Sequence, residues 1–227
     1  MSCRTEVRPC WPWESWPGWV VLQAVRGEPQ AACPMWKGVV DMSTKKYRTI
    51  MADPPWDVHQ RGKNSLGAER HYDLMTLDEI KKMPVGDLAE GDAHLWLWVT
   101  NATLRDGYDV MEAWGFTPRS PLTWIKPRFT LGQYLRNATE HLLFGTKGKA
   151  PVQFRSQPTW MFAPLQDHSH KPEEQYAVIE RVSPGPRLEL FARRRQRGWD
   201  VWGNQITSDI EMPGYPVPDS PSTRTSS

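Results

Sequence analysis

Cysteine is nearly missing. The chain holds only Cys3, Cys10 and Cys33, all within its first 41 residues. Neither a disulfide framework nor a cysteine-based zinc site can therefore support the rest. Long apolar runs are missing too. Nothing approaches the ~18 consecutive apolar residues that span a bilayer, and "GWVVLQAV" is too short, and too closely preceded by acid and tryptophan, for a signal peptide. A large charge imbalance is also lacking: 28 Lys and Arg face 26 Asp and Glu, a net +2. A nucleic-acid partner is permitted but not demanded, and any basic surface must be local. These absences fit a soluble chain of a reducing, cytoplasmic compartment, with no metal centre and no membrane partner.

Tryptophan is plentiful, and its distribution divides the chain. Five of the 13 (Trp11, Trp13, Trp16, Trp19, Trp36) sit among prolines in residues 1–41 with no period of 2 or 3.6. That stretch reads as a poorly ordered extension ahead of a natural beginning at Met42. Residues 207–227, ending "PGYPVPDSPSTRTSS", read as a disordered tail. Residues 42–206 alternate between strand and helix patterns. Strands are expected at 47–52, 94–100, 122–126, 140–146, 158–164, 187–192 and 199–203. Helices are expected at 76–82, with Thr76 as N-cap and Glu79 three residues on, at 103–114 before Gly115, and at 172–182 with Pro172 first. Such alternation means an α/β fold on a mainly parallel sheet flanked by helices, which binds ligands beyond the carboxyl ends of its strands.

"YRTIMADPPWDVHQ" puts an acid, two prolines and a tryptophan at one such strand end. Proline lacks the N–H that a ladder needs and fixes φ, so the strand stops at Ala52 or Asp53 in a stiff corner. Asp-Pro-Pro is also an ordinary turn. Its chemistry, however, suits methylation of an exocyclic amine, a weak nucleophile whose lone pair is delocalised into the base. Asp53 and the Pro54 carbonyl can accept the two amino protons, the prolines fix the geometry in advance, and Trp56 offers a stacking surface for an extruded base.

The blocks "IMADPPWDVH", "HLWLWVTNATLRDGYDVMEAWGF", "WIKP", "NATEHLLFGTKG", "SHKPEEQYAVIERVSPG", "LELFARR" and "WDVWGNQ" extend that likeness over residues 47 to about 205. They resemble the N6-adenine methyltransferases related to the seventy-kilodalton catalytic subunit of the mRNA adenosine methyltransferase. The resemblance implies a Rossmann-like fold with circularly permuted motif order, S-adenosylmethionine as methyl donor and no metal. It implies Asp53, Pro54, Pro55 and Trp56 as the catalytic motif. Asp53, His170, Lys171, Arg193, Asn204 and Gln205 would lie at the cofactor, and Lys126 and Glu140 on the substrate side.

The run "RRRQR" departs from the family's pattern, and the zinc fingers of its longer members are missing. No G-x-G follows "LELFA", so Arg193 and the "GNQ" amides must hold the cofactor through hydrogen bonds. Arg194 and Arg197 are read as facing nucleic-acid phosphates. Tyr72, in the mobile-looking loop 61–74, is read as a contact to the target base.

The partner expected is DNA or RNA, for a bacterial or phage-like enzyme working as a monomer or homodimer, or beside a methyltransferase-like partner subunit. The rival readings are a cytosine 4-amino methyltransferase, in which an analogous motif opens with serine, and an inactive methyltransferase-fold scaffold that binds nucleic acid. Trp96, Trp98, Trp114 and Trp124 read as core, His94 and His141 as structural.

Overall fold

The computed structural model describes residues 45–57, 74–130, 134–166, 170–212 and 215. Its centre is β1 (Tyr47–Ala52), buried along nearly its whole length, as befits a strand covered on both faces. The chain then forms α1 (Leu77–Lys82), α2 (Val85–Leu88), β2 (Ala89–Val99) and α3 (Leu104–Ala113). After these come β3 (Thr117–Pro118), β4 (Leu122–Thr130), β5 (Asn137–Lys147), β6 (Trp160–Phe162), α4 (Glu174–Val182), β7 (Arg187–Leu190) and β8 (Trp199–Trp202). One sheet holds all eight strands in the order β6-β4-β5-β2-β1-β7-β8, with β3 also paired to β5.

Following the pairings outward from β1, every strand but β5 runs in the same direction. The sheet is therefore the mainly parallel one expected, with one reversed strand. Because β5 runs backwards, its first residues reach the edge where the other strands end. The two faces bury different cores. Ile50, Leu95, Leu97, Val99, Val110, Met111 and Leu143 pack with α1 and α3 on one face. Met51, Trp96, Trp98, Trp124, Leu142 and Ile179 pack with α4 on the other.

Local chemistry sets the boundaries. Thr76 and Glu79 form the reciprocal capping box at the start of α1. Gly115 follows α3 at φ 81°, a left-handed conformation that glycine adopts without steric cost. The strand expected over 158–164 shrinks to β6, because Pro158 and Pro164 flank it and neither can donate to a ladder.

Strand β7 ends at Leu190 rather than 192, since Phe191 turns out of the ladder at φ 63°. At Gly203 a Cβ would stand 2.1 Å from the Ala192 carbonyl oxygen, so only glycine lets the ends of β7 and β8 close together. Helix α4 starts two residues later than Pro172 implies. The proline lies ahead of the cap, its carbonyl accepting from the Gln175 N–H at 3.1 Å.

The end of the domain also needs correction. Residues 207–212, expected to begin a tail, pack onto the fold. The Asp209 N–H donates to the Val201 carbonyl at 2.8 Å, and Met212 is buried in the aliphatic core. Residues 1–44 and 216–227 lie outside the described residues. Among the described residues no helix is long and apolar enough to cross a membrane.

Candidate active site

The carboxyl ends of β1, β2, β4 and β7, together with the start of β5, meet at one edge of the sheet. Asp53 leaves β1 there. The turn after it is pinned on three sides: the Pro54 carbonyl accepts from the Trp56 N–H at 2.9 Å, the Pro55 carbonyl from the Met75 N–H at 2.9 Å, and Met75 returns an acceptor to the Asp57 N–H at 3.1 Å. The Trp56 indole N–H donates to the Trp98 carbonyl at 3.0 Å, and its ring packs against the aliphatic core. Trp56 thus anchors the turn to the end of β2 and does not line the cleft described below.

Four charges of alternating sign cross this edge. Lys171 Nζ donates to Asp53 Oδ2 at 2.7 Å and lies 3.8 Å from Glu140 Oε2. Lys126 donates to the other Glu140 oxygen. Both ammonium groups sit over indoles, Lys171 5.3 Å from the Trp98 ring and Lys126 4.9 Å from that of Trp124. Side-chain exposure falls from 27% at Asp53 to 11% at Lys126. The cluster is shielded enough for these contacts to exceed the worth of ordinary surface pairs, and open enough to admit a ligand.

A cleft beside this cluster is lined by Asp53, Lys171, His170, Glu189, Phe191 and Arg193, with Trp98 and Tyr176 among its other walls. His170 is held by Glu173 at 3.2 Å and Arg194 at 2.7 Å, and Arg194 also pairs with Glu173 at 3.1 Å. Arg194 therefore belongs to the cleft wall.

The sequence reading passed over Glu189. It sits on β7 opposite Met51 and accepts from the Tyr176 hydroxyl at 2.9 Å. Burial pushes its carboxyl up to about 7, against the pull of the tyrosine hydrogen bond. The signal was an acid between the two buried leucines of β7, since an acid so shielded in a strand needs a reason. Gln175 was also passed over. It is buried in α4 and accepts from the Trp98 indole at 2.7 Å, fixing the cleft floor.

Other expected residues lie elsewhere. Asn204 and Gln205 occupy an exposed turn after β8, outside the cleft lining. Arg197 lies just before Trp199, where β8 starts at the opposite edge of the sheet from Asp53, because the chain must travel back before it can run parallel to β7. Arg195, in the same basic run, makes a two-pronged pair with Asp209 at 3.0 and 2.9 Å. Tyr72 lies outside the described residues.

Residues 47–205, which hold every element from β1 to β8, match the family model MT-A70. The chain belongs to the MT-A70 family. Its MT-A70 relatives include the putative N(6)-adenosine-methyltransferase MT-A70-like of Medicago truncatula, 34% identical over 173 residues, covering 71% of this chain and 27% of the relative. The N(6)-adenosine-methyltransferase catalytic subunit METTL3 of Homo sapiens is 34% identical over 174 residues, 71% of this chain and 28% of its own length. The type II methyltransferase M.MunI of a Mycoplasma species is 30% identical over 194 residues, 74% of this chain and 82% of its own. The match thus spans about a quarter of the plant and animal relatives and most of the bacterial one. The MT-A70 fold accords with the Rossmann-like sheet seen here.

Proposed function

We propose that the chain transfers a methyl group from S-adenosylmethionine to the 6-amino group of adenine in a polynucleotide. The observation that carries this reading is the Asp53–Lys171 contact on the rim of a cleft at the switch in strand order, between β1 and β7.

The cleft's donor set fits such a cofactor: Asp53, Glu189 and Glu173 suit its cationic parts, Lys171 and Arg193 its carboxylate and hydroxyls, and Phe191 and Tyr176 its rings. S-adenosylmethionine would supply an electrophilic methyl on sulfur. Asp53 and the Pro54 carbonyl would accept the two amino hydrogens of adenine and so raise the electron density on the nitrogen. Both have room. Lys171 uses one of about four acceptor sites on the Asp53 carboxylate, and the Trp56 N–H uses one of two on the Pro54 carbonyl. Transfer of that methyl to the amine, with the sulfur as leaving group, would release one proton from the nitrogen, and we assign Asp53 as its acceptor. Lys171 orients the Asp53 carboxylate, and Glu140 with Lys126 holds Lys171.

The test is transfer of labelled methyl to unmethylated DNA and to RNA, followed by nucleoside mass spectrometry, with Asp53→Ala alongside. N6-methyladenine in one polymer and its loss in the variant are expected. Measurable cofactor binding with no product in either polymer would overturn the reading for the chain acting alone.

A further inference from the structure

The chain's basic and acidic residues nearly cancel, yet they are not evenly spread. Residues 117–166 contain seven Lys and Arg and one acid, Glu140, which is already flanked by Lys126 and Lys171. This segment builds β3 to β6, the end of the sheet farthest from β8.

In that end the register sets Trp160 opposite Thr123 and Phe162 opposite Ile125. Alternation along pleated strands puts these four on one face, while Trp124 and Met161 turn to the other, where the α4 core buries them. Farther in, α3 covers the first face over β2 and β5. At its outer end nothing among the described residues covers it: Trp160 is 53% and Phe162 61% exposed. Phe129 and Tyr134 stand exposed beside Arg128 and Arg136 in the β4–β5 hairpin.

An exposed aromatic pair on an open sheet face calls for an occupant. The surrounding charge selects it. A second copy laid here would bring the same basic hairpin, with Arg128 and Arg136, against itself, whereas a polyanion would be attracted. Single-stranded nucleic acid meets both features, because bases stack on aromatic side chains whatever their identity and phosphates pair with Arg and Lys.

We infer that the uncovered β4–β6 face binds the single-stranded polynucleotide leading to or from the target base. Trp160 and Phe162 stack bases on the face, and Arg128 and Arg136, on the hairpin beyond the irregular register that follows Ile125, meet phosphates. The inference rests on the methyl-transfer reading above. Four strand spacings, roughly 19 Å, separate β1 from β6, so the surface would hold nucleotides a few positions from the one at Asp53.

Binding can be read apart from methylation with labelled oligothymidine and oligouridine, which carry no adenine, and with a hairpin duplex of DNA. The full chain is expected to bind the single strands more tightly than the duplex. Trp160→Ala/Phe162→Ala should weaken single-strand binding by about tenfold or more, and Trp160→Phe/Phe162→Tyr should restore most of it. Arg128→Glu/Arg136→Glu should lower the slope of log affinity against log salt by about 2. Affinity for S-adenosylmethionine should stay at the wild-type value in all three.

Wild-type failure to bind either oligomer, or unchanged affinity in Trp160→Ala/Phe162→Ala, overturns the inference. If that variant instead turns an oligomer into a monomer by light scattering while oligonucleotide binding is retained, the face is a protein interface and the inference falls. Aromatic-dependent oligothymidine binding without methylation of any polymer would leave this surface standing and remove the methyl-transfer reading.

Discussion

Two polar clusters lie toward opposite edges of the same sheet, and they are built on different terms. Near the amino-terminal edge, His94 Nδ1 and Trp96 Nε1 converge on Ser183 Oγ at 2.8 and 2.9 Å, and His94 Nε2 lies 3.0 Å from the Ala150 carbonyl oxygen. A carbonyl only accepts, so Nε2 carries the proton. Nδ1 then accepts from the Ser183 hydroxyl, whose oxygen accepts from Trp96. His94 and Ser183 are fully buried and the set is closed. At the carboxyl edge, Asp53, Lys171, Glu140 and Lys126 carry charges and stay partly open to solvent. Both clusters are polar. The closed one has spent its hydrogen-bonding capacity on the protein, whereas the open one keeps some for a ligand.

Breaking each cluster should have opposite consequences. The largest effect is expected for Asp53→Ala, which should lower methyl transfer by about 100- to 1,000-fold with little change in stability, checked by single-turnover assay and denaturant melts. Next, Ser183→Ala orphans two buried groups and should cost about 2–4 kcal/mol in chemical denaturation, while leaving activity per folded molecule unchanged. Lys171→Met leaves two carboxylates without their shared cation and should lower activity by about 10- to 100-fold, again with the fold intact. A Ser183→Ala protein that is stable but inactive would erase the contrast.

The pH dependence of stability sharpens the comparison, because His94 of the closed cluster and Glu189 of the cleft beside the open one differ in sign. Burial holds the His94 imidazole below its ordinary value, so its neutral, fully bonded form contributes stability that is present above pH ~6.5 and lost as pH falls below it. Glu189 behaves oppositely. With its carboxyl pushed up to about 7, its contribution is present below the unfolded value of ~4.3 and is lost as pH rises through 7. Glu189→Gln should therefore gain on the wild type between pH 5 and pH 8 by up to about 3 kcal/mol, read from melts at several pH values. Equal pH profiles for the two proteins would show that the carboxyl does not titrate in this window.

Those elements whose cause is local were legible in the sequence. Thr76 and Glu79 announced α1, Gly115 announced the end of α3, and the Asp-Pro-Pro corner announced the end of β1. What depends on tertiary pairing was not. The polar run "AEGDA" begins β2 only because Tyr47 and Lys147 pair with it. The four residues of α2 are too few to show a period.

Within the site, the residue types of the motif were readable but their directions were not. Trp56, expected to stack on a base, has its indole N–H on the Trp98 carbonyl and its ring packed against the aliphatic core. Arg194 and Arg197, three apart in one basic run, are separated because the chain crosses the sheet between β7 and β8. Glu189 carried a readable signal, an acid between two leucines of a strand, whose weight appears only once Tyr176 is seen beside it.

The reversed strand β5 has a consequence for how such a domain can diversify. Lys126 midway along β4 and Glu140 near the start of β5 are joined by the hairpin between them, and the Trp124–Glu140 pairing holds their register. Residues gained or lost between Thr130 and Asn137 would leave that pairing unchanged, whereas a single insertion between Glu140 and His141 would turn the acid away from both lysines. Lineages could thus reshape the hairpin, and with it whatever it touches, while inheriting the charge cluster whole.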